Sequence, residues 1–327
     1  MAIRTLVESI RETLADEMRR DETMIILGED VGPKGGVFLA TDGLWAEFGA
    51  DRVMDTPLSE SLIVGASIGA AVNGLRPVPE IQFADFIFPA FNQIVSEAAR
   101  LRYRSNGAFG CPITIRTPYG GGVHGALYHS QSVEAFFAHV PGLKIVVPST
   151  PYDARGLLRS SIRDPDPVIF LEHKKLYRSV RGEVPDTDYV VPLGRAQVTR
   201  PGNHVTVIAY GLMAHYSLEA AELVAAEGIS VEVIDLRTLR PLDAETVVGS
   251  VRKTGKCVIV YEDNRFGGYG AEVAAVLAED AFEYLDGPIL RVTGPDVPGV
   301  PYSHTLEDWF MVDPDKIADA IRRLAAY

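Results

Sequence analysis

The sequence contains little cysteine, lacks a long uncharged apolar run and carries fewer positive than negative charges. Its 327 residues include two cysteines, Cys111 and Cys257, which lie far apart among apolar neighbours. Such thiols form neither a disulfide framework nor a zinc pattern and are typical of core positions. The N-terminus has no signal-peptide core, and charges interrupt every apolar run before it could span a bilayer. We therefore expect a soluble, cytoplasmic protein with no membrane partner.

The charge balance argues against a nucleic-acid partner. Lysine and arginine total 31 against 44 aspartate and glutamate, which gives a net charge of -13. A chain this acidic repels phosphate backbones. Its composition is that of an ordinary globular protein, and at about 150 residues per domain its length predicts roughly two domains.

Apolar strand-like runs alternate with amphipathic segments along the chain. In the first segment, Leu6, Ile10, Leu14 and Met18 share one helical face. Predicted strands follow at 24–27, 80–83, 113–116, 144–147, 168–171, 205–208, 231–234, 258–260 and 289–292. Predicted helices lie at 63–71, 91–103, 152–163, 214–226, 244–253, 271–284 and 314–326. Uniformly apolar strands between helices indicate parallel sheets covered on both faces. A polar stretch at 181–192 predicts a linker between two α/β domains, at 1–185 and 190–327.

A glycine-rich segment is the first candidate for a binding loop, because ligands of open α/β sheets bind beyond the carboxyl ends of the strands. Residues 120–125 match G-x-G-x-x-G literally. A dinucleotide fingerprint must open a helix, and an acidic residue should follow about 20 residues later. Neither condition holds, so a flexible loop that allows close backbone approach is the better interpretation. A nicotinamide-dependent oxidoreductase remains an alternative, and it predicts NAD binding by the isolated chain.

Three histidines, His124, His129 and His139, crowd the same part of the sequence. Their spacing fits no helical or hairpin pattern of metal ligands. Histidine titrates near neutrality, so one of them could serve as a catalytic acid or base. His129, at the end of the glycine loop, is the best placed.

Residues 55–60, Asp-Thr-Pro-Leu-Ser-Glu, precede a predicted helix. Taken alone, they indicate a turn in which Thr56 or Ser59 caps the helix. Glu60 would then favour the positive end of the helix dipole.

Several long motifs, in order along the chain, resemble those of one family. They lie at residues 55–60, 80–91, 124–132, 149–158 and 235–241. Together they resemble the β subunit of the thiamine-diphosphate-dependent E1 component of 2-oxo acid dehydrogenase complexes, of the branched-chain type, with the pyruvate type as a near relative. The resemblance implies an α/β fold: a pyrimidine-type thiamine-diphosphate-binding domain with a parallel sheet, followed by a transketolase C-terminal-type domain.

The resemblance also implies roles for single residues. Glu60 would hydrogen-bond N1′ of the cofactor's aminopyrimidine, which favours the imino tautomer that removes the thiazolium C2 proton. Leu58, Gln82 and Phe86 would line the aminopyrimidine pocket; some relatives have tyrosine in place of Phe86, so here only ring packing is expected. His129 would stand near the substrate and the incoming lipoyl group, where it could donate a proton during reductive acylation.

The resemblance further implies a possible structural potassium ion. In some relatives, backbone carbonyls at the positions of Ile113, Ser161 and Asp164 hold it.

One motif is absent, and the absence predicts a partner. Enzymes of this class fix the diphosphate through Mg²⁺ with a Gly-Asp-Gly motif, which occurs nowhere in this chain; Gly-Glu-Asp at 28–30 lacks the second glycine. The chain therefore resembles the pyrimidine half of a site whose diphosphate half, with the Mg²⁺, lies on an α subunit. An α₂β₂ heterotetramer that is active only when complete is the expected assembly.

The implied function is oxidative decarboxylation of 2-oxo acids, branched-chain ones first, with acyl transfer to the lipoyl group of the E2 acyltransferase. Pyruvate or acetoin is the alternative substrate. The C-terminal domain would serve β–β contact and E2 docking, and residues 262–264 and His304 are expected to be loop and surface residues. A non-catalytic scaffold subunit is the competing hypothesis; it predicts that a Glu60→Gln change leaves turnover intact.

Overall fold

The computed structural model describes residues 1–327 and groups them into two compact units. The first comprises residues 1–119 and 136–193, and the second comprises residues 120–135 and 194–327. The segment 120–135, with the glycine loop and His129, therefore belongs to the second unit. No helix is both long enough and apolar enough to cross a membrane.

The first unit is built on parallel strands. Strands lie at β1 (Ala2–Thr5), β2 (Met24–Gly28), β3 (Val53–Asp55), β4 (Arg76–Glu80), β5 (Thr114–Tyr119), β6 (Lys144–Val146), β7 (Val168–His173) and β8 (Arg181–Val184). Helices up to the end of this unit lie at α1 (Leu6–Arg20), α2 (Leu44–Phe48), α3 (Glu60–Val72), α4 (Leu101–Arg104), α5 (Glu134–Ala138), α6 (Pro151–Arg163) and α7 (Leu176–Ser179). Six strands run parallel in the order β6-β7-β5-β4-β2-β3, while β1 and β8 form a separate antiparallel pair.

The second unit has a mixed sheet. Its strands are β9 (Gln197–Arg200), β10 (Val205–Ala209), β11 (Val231–Asp235), β12 (Thr238–Arg240), β13 (Cys257–Asn264) and β14 (Leu290–Gly294). Its helices are α8 (Leu212–Ala225), α9 (Ala244–Thr254), α10 (Gly270–Asp280), α11 (His304–Phe310) and α12 (Pro314–Ala325). Five strands take the order β14-β13-β10-β11-β9, and only β9 runs antiparallel to its neighbour.

Local sequence signals explain the first helix. Thr5 and Glu8 form a capping box that satisfies free backbone N–H groups at the start of α1. The predicted apolar face, formed by Leu6, Ile10, Leu14 and Met18, is fully buried. This prediction is confirmed.

Three local predictions are wrong. Strand β4 ends at Glu80, where the strand predicted at 80–83 would begin. The predicted helix 91–103 is broken into short π, 3₁₀ and α turns. Residues 91–103 mix apolar and polar side chains, and their spacing does not distinguish a regular α-helix from a succession of short 3₁₀, π and α turns. The stretch predicted as a linker contains β8, whose partner β1 lies at the opposite end of the first unit's sequence. Its polar, largely exposed residues give no strand pattern.

Two glycines in the second unit provide a matched stability test. A Cβ added at Gly202 would overlap the backbone of β11 at Val231 and Glu232, whereas one added at Gly249, in α9, meets nothing within 4 Å. We expect Gly202→Ala to destabilise the protein by about 1–3 kcal/mol through overpacking. Gly249→Ala should instead stabilise α9 by up to about 1 kcal/mol. Thermal unfolding of both variants measures the difference, and equal melting temperatures would contradict the packing at Gly202.

Candidate active site

The carboxyl ends of three neighbouring strands meet at one edge of the first unit's sheet. Gly28, at the end of β2, pairs with Asp55 at the end of β3 and with Glu80 at the end of β4. The loops that follow these strands therefore leave the sheet side by side. The loop after β2 begins with Glu29, the loop after β3 leads to Glu60, and the loop after β4 carries Gln82. This edge is therefore the candidate site.

Glu60 is the first residue of α3 and is only 8% exposed. The expected cap is absent: Ser59 makes no side-chain bond to the helix, and the buried Thr56 hydroxyl has no hydrogen-bond partner. Burial, together with the negative charges of Glu60 and Asp30, raises the pKa of Glu29 above its ordinary value. Acidic groups therefore crowd this edge, as expected of a site that holds and moves protons.

The other predicted pocket residues lie in the loop after β4. The Gln82 amide donates to Asp30 Oδ2 at 3.4 Å. Phe86 is half-buried and meets Phe83 edge-on, with ring centroids 6.1 Å apart. Leu58, in the loop after β3, is 79% exposed. The loops at this edge thus offer a buried carboxyl, a half-buried aromatic ring, an amide and an exposed apolar side chain, which are groups that suit a planar, nitrogen-containing ring such as an aminopyrimidine.

A buried ion cluster holds the same edge together. Arg116 on β5 donates to both oxygens of Glu172, at 2.7 and 2.9 Å, and to Glu80 Oε2 at 2.7 Å. The Tyr177 hydroxyl donates to Glu172 at 2.5 Å. Burial raises the pKa of Glu80 although the positive charge of Arg116 opposes it. These bonds join β4, β5 and β7, and the loop that carries Gln82 and Phe86 leaves from the end of β4.

His129 belongs to the second unit, on the segment 120–135. Carboxylates of that unit hold this segment by its backbone: Glu262 Oε1 accepts from the Gly121 N–H at 2.5 Å, and Glu307 Oε1 accepts from the Gly122 N–H at 2.9 Å. Glu262 is buried, so its interpretation as a surface loop residue is wrong. Its partner, Gly121, is 141 residues away in the sequence, so no local pattern marks Glu262 as a buried residue.

The three histidines do not form one cluster. His139 is exposed in the first unit, and the ring of His124 stands 3.7 Å, centroid to centroid, from that of His304. The structure gathers no three histidine, cysteine or carboxylate side chains that could hold a metal ion.

A buried acid ends the His129 segment. Glu134 is fully buried and accepts a hydrogen bond from the Tyr210 hydroxyl at 2.8 Å. Burial, with the nearby charge of Asp263, raises the pKa of Glu134 to about 8. Sequence inspection missed Glu134, Tyr210 and Glu307, because nothing near them in sequence marks their contacts.

Two families account for most of the chain. Residues 4–180 match the family described as the transketolase pyrimidine binding domain, and residues 194–317 match the transketolase C-terminal domain. These matches confirm the predicted fold class.

Full-length relatives decide the family. The chain is 57% identical over 327 residues, all of both chains, to the 2-oxoisovalerate dehydrogenase subunit beta of Bacillus subtilis. The chain belongs to the E1 β-subunit family of 2-oxo acid dehydrogenases. It is also 53% identical to the pyruvate dehydrogenase E1 component subunit beta of Staphylococcus epidermidis, over 90% of this chain and 91% of the relative. The family is related to transketolases, whose cofactor is thiamine diphosphate.

A solved structure shares the fold of this E1 β chain. It is described as a split gene transketolase, inactive beta4 tetramer, and matches with a TM-score of 0.78 at 25% identity over 98% of both chains. The predicted site residues of the E1 β chain lie on two of its parts: Leu58, Glu60, Gln82 and Phe86 at the carboxyl edge of the first unit, and His129 in the second unit.

The three carbonyls predicted to bind potassium already accept hydrogen bonds in this E1 β chain. Ile113 O accepts from Val168 N at 3.0 Å, and Ser161 O accepts from Asp164 N at 3.2 Å. Asp164 O accepts from the Arg76 guanidinium at 3.2 Å. Each carbonyl retains a second lone pair that a cation could use, and the potassium site stays a prediction.

The buried Glu134 gives a pH-dependent prediction. Because folding raises its pKa from 4.5 to about 8, the folded state binds this proton more tightly than the unfolded state. Its contribution to stability is complete below about pH 4.5 and is lost as pH rises to about 8. We expect Glu134→Gln, which imitates the protonated acid, to gain melting temperature relative to the wild type between pH 5 and pH 8. A constant difference across that range would contradict the raised pKa.

Proposed function

We propose that this chain is the β subunit of a thiamine-diphosphate-dependent E1 enzyme. Together with an α subunit, it would oxidatively decarboxylate branched-chain 2-oxo acids and pass the acyl group to the lipoyl group of E2. The observation that carries the proposal is the buried Glu60 at the carboxyl edge of the sheet, with Gln82 and Phe86 in the adjacent loop. The full-length similarity to a 2-oxoisovalerate dehydrogenase subunit supports the branched-chain substrate.

Glu60, Leu58, Gln82 and Phe86 would hold the aminopyrimidine. Bound thiamine diphosphate supplies a nucleophilic carbon and an electron sink for the decarboxylation. Glu60 would share a proton with a ring nitrogen, because its burial keeps water from competing for that bond. Phe86 and Leu58 would pack on the ring, and the Gln82 amide would orient it.

The diphosphate half of the site would come from an α subunit. This chain has no Gly-Asp-Gly motif, so Mg²⁺ would be held mainly by the α subunit in an α₂β₂ heterotetramer. The exposed Leu58 and Leu62, at 79% and 53%, provide apolar surface of the kind that a partner chain or a cofactor covers. The solved relative described as an inactive tetramer of β chains also supports this dependence.

His129 would act in acyl transfer rather than in decarboxylation. An imidazole next to the lipoyl group could donate a proton as the dithiolane opens. Its second-unit location separates it in the chain from the pocket residues of the first unit.

Several further assignments are part of the proposal. Pyruvate or acetoin is the alternative substrate, and the relatives named as pyruvate dehydrogenase subunits support pyruvate. A structural potassium ion at Ile113, Ser161 and Asp164, docking of E2 on the second unit, and a cytoplasmic location are predictions from the sequence.

Reconstitution tests the proposal. Thiamine diphosphate binding with Mg²⁺ is measured by calorimetry for this chain alone and for the chain co-expressed with its candidate α subunit. We expect binding only by the mixed assembly, followed by turnover of branched 2-oxo acids in preference to pyruvate. Tight binding by the lone chain would refute the shared site. Binding by neither, or binding of NAD by the lone chain, would favour the scaffold or the nicotinamide alternative.

A Glu60→Gln variant tests whether this chain is a catalytic or only a scaffolding subunit. The amide keeps the shape of the carboxyl but cannot move a proton, so we expect kcat of the assembled enzyme to fall by about 10²–10⁴-fold. Size-exclusion chromatography should show an unchanged heterotetramer. Turnover equal to that of the wild type would establish the scaffold hypothesis instead.

A further inference from the structure

The segment 120–135 is fixed at its start by two buried acids of the second unit. Glu262, at the end of β13, accepts from Gly121 N, and Glu307, on α11, accepts from Gly122 N at 2.9 Å and from His124 N at 3.3 Å. The second oxygen of Glu307 contacts Nδ1 of the His124 imidazole. Glu307 is 1% exposed, so it gives up its hydration in order to hold this backbone.

The backbone held in this way is an unfavourable one. Gly120, Gly122, His124 and Ala126 have φ of 85°, 75°, 57° and 55°. His124 and Ala126 carry a Cβ, which makes the left-handed region costly, so the surrounding structure must impose this conformation. Charge-assisted bonds from carboxylates to backbone N–H groups are strong enough to impose it.

The turn leads directly to the proposed catalytic histidine. A Cβ at Gly125 would stand 2.5 Å from the His129 carbonyl oxygen, and the His129 N–H donates to Ala126 O at 3.4 Å. The Gly120 N–H closes the loop on Gln131 O at 3.0 Å. The backbone of His129 therefore packs directly on the turn that Glu307 holds.

The far end of the segment is fixed separately. Glu134 is fully buried and accepts from the Tyr210 hydroxyl. His129 thus lies between two anchors of the second unit. Loss of the Glu307 anchor should free the first part of the segment and leave the Glu134 end in place.

We propose that Glu307 is a positioning residue for His129. It imposes the left-handed turn at residues 120–126 and thereby sets the position of the His129 imidazole for acyl transfer to the lipoyl group. This inference rests on the proposed function, since it assumes that His129 acts in that half-reaction.

The chemistry of acyl transfer makes the position of His129 important. The lipoyl S–S bond would break as one sulfur bonds the acyl carbon and the other gains a proton. The acyl carbon would then give up its bond to the cofactor, and its hydroxyl a proton, which leaves a thioester. The two electrons that reduce the S–S bond would come from the decarboxylated substrate, and His129 would supply the proton to the second sulfur. Proton donation needs hydrogen-bond distance, and a displacement of about 1 Å can cost about 10²-fold in rate.

The test compares variants of the assembled α/β enzyme loaded with thiamine diphosphate. Glu307→Ala removes the acceptor, whereas Glu307→Gln keeps a carbonyl oxygen toward the Gly122 and His124 N–H groups. Glu279→Ala, an exposed acid on α10, is the matched control, and His129→Ala is the reference for a lost proton donor. Decarboxylation is followed with a dye as electron acceptor, and acyl transfer with a lipoyl domain. Amide hydrogen exchange is followed in peptides that cover 120–131.

For Glu307→Ala we expect acyl transfer to fall by about 100-fold, approaching His129→Ala, while decarboxylation stays within about threefold of wild type. Amide exchange should rise in 120–131 and stay unchanged in β5. Glu307→Gln should restore most of the acyl transfer and most of the protection of 120–131 from exchange. Glu279→Ala should match the wild type in each measurement.

The proposal would be overturned by unchanged amide exchange in 120–131, by a freed loop with normal acyl transfer, or by a Glu307→Gln variant as impaired as Glu307→Ala. An equal loss of decarboxylation and acyl transfer would also overturn it, since that indicates a general structural role. If the wild-type assembly turns over no 2-oxo acid, the proposed function itself fails, and the exchange data still show whether Glu307 holds the loop.

Discussion

The alignment of parallel strand ends is the constraint on which the first unit's site depends. Gly28 is paired with Asp55 on one side and with Glu80 on the other, so three loops leave the sheet at one level. A shift of one residue in either pairing would turn the following side chains to the other face of the sheet. The ion cluster of Arg116 with Glu80 and Glu172 opposes such a shift, because a slipped strand would leave a buried charge unpaired.

The ion cluster and the pocket are continuous in sequence and in space. Glu80 ends β4, and Gln82 follows two residues later. The rings of Phe83 and Phe38 pack edge-on, with centroids 5.6 Å apart. Phe38 also packs on Tyr177, whose hydroxyl donates to Glu172. Apolar ring packing thus links the pocket loop to the charged centre of the sheet, so the loop after β4 is supported on two sides.

Structure that depends on neighbouring residues could be predicted from the sequence, whereas contacts between residues far apart in the chain could not. The face of α1 was predictable because its apolar spacing is local. The pairing of β1 with β8, and the contact of Glu307 with Gly122, join distant residues whose neighbours give no pattern. The resemblance to E1 β subunits identified Glu60 as a candidate, whereas its residues alone suggested a helix cap that the structure does not contain. The absent cap removes the local interpretation of this turn, and the role of Glu60 toward the cofactor stays a proposal.

The acidic surplus of the chain has a structural use as well as a solvating one. In the first unit, buried carboxylates are paired with Arg116. In the second unit, Glu262 and Glu307 are bonded to backbone N–H groups, and Glu134 is bonded to a hydroxyl. A carboxylate can accept several bonds from a backbone turn, whereas an ammonium or guanidinium group can accept none. A glycine-rich turn with left-handed residues presents N–H groups to its surroundings, so a side chain that holds it must offer an acceptor oxygen, and a carboxylate accepts more strongly than a neutral group. The same chemistry explains why the acids that hold the His129 segment come from elements distant in sequence: the turn itself contains only small and apolar residues apart from His124.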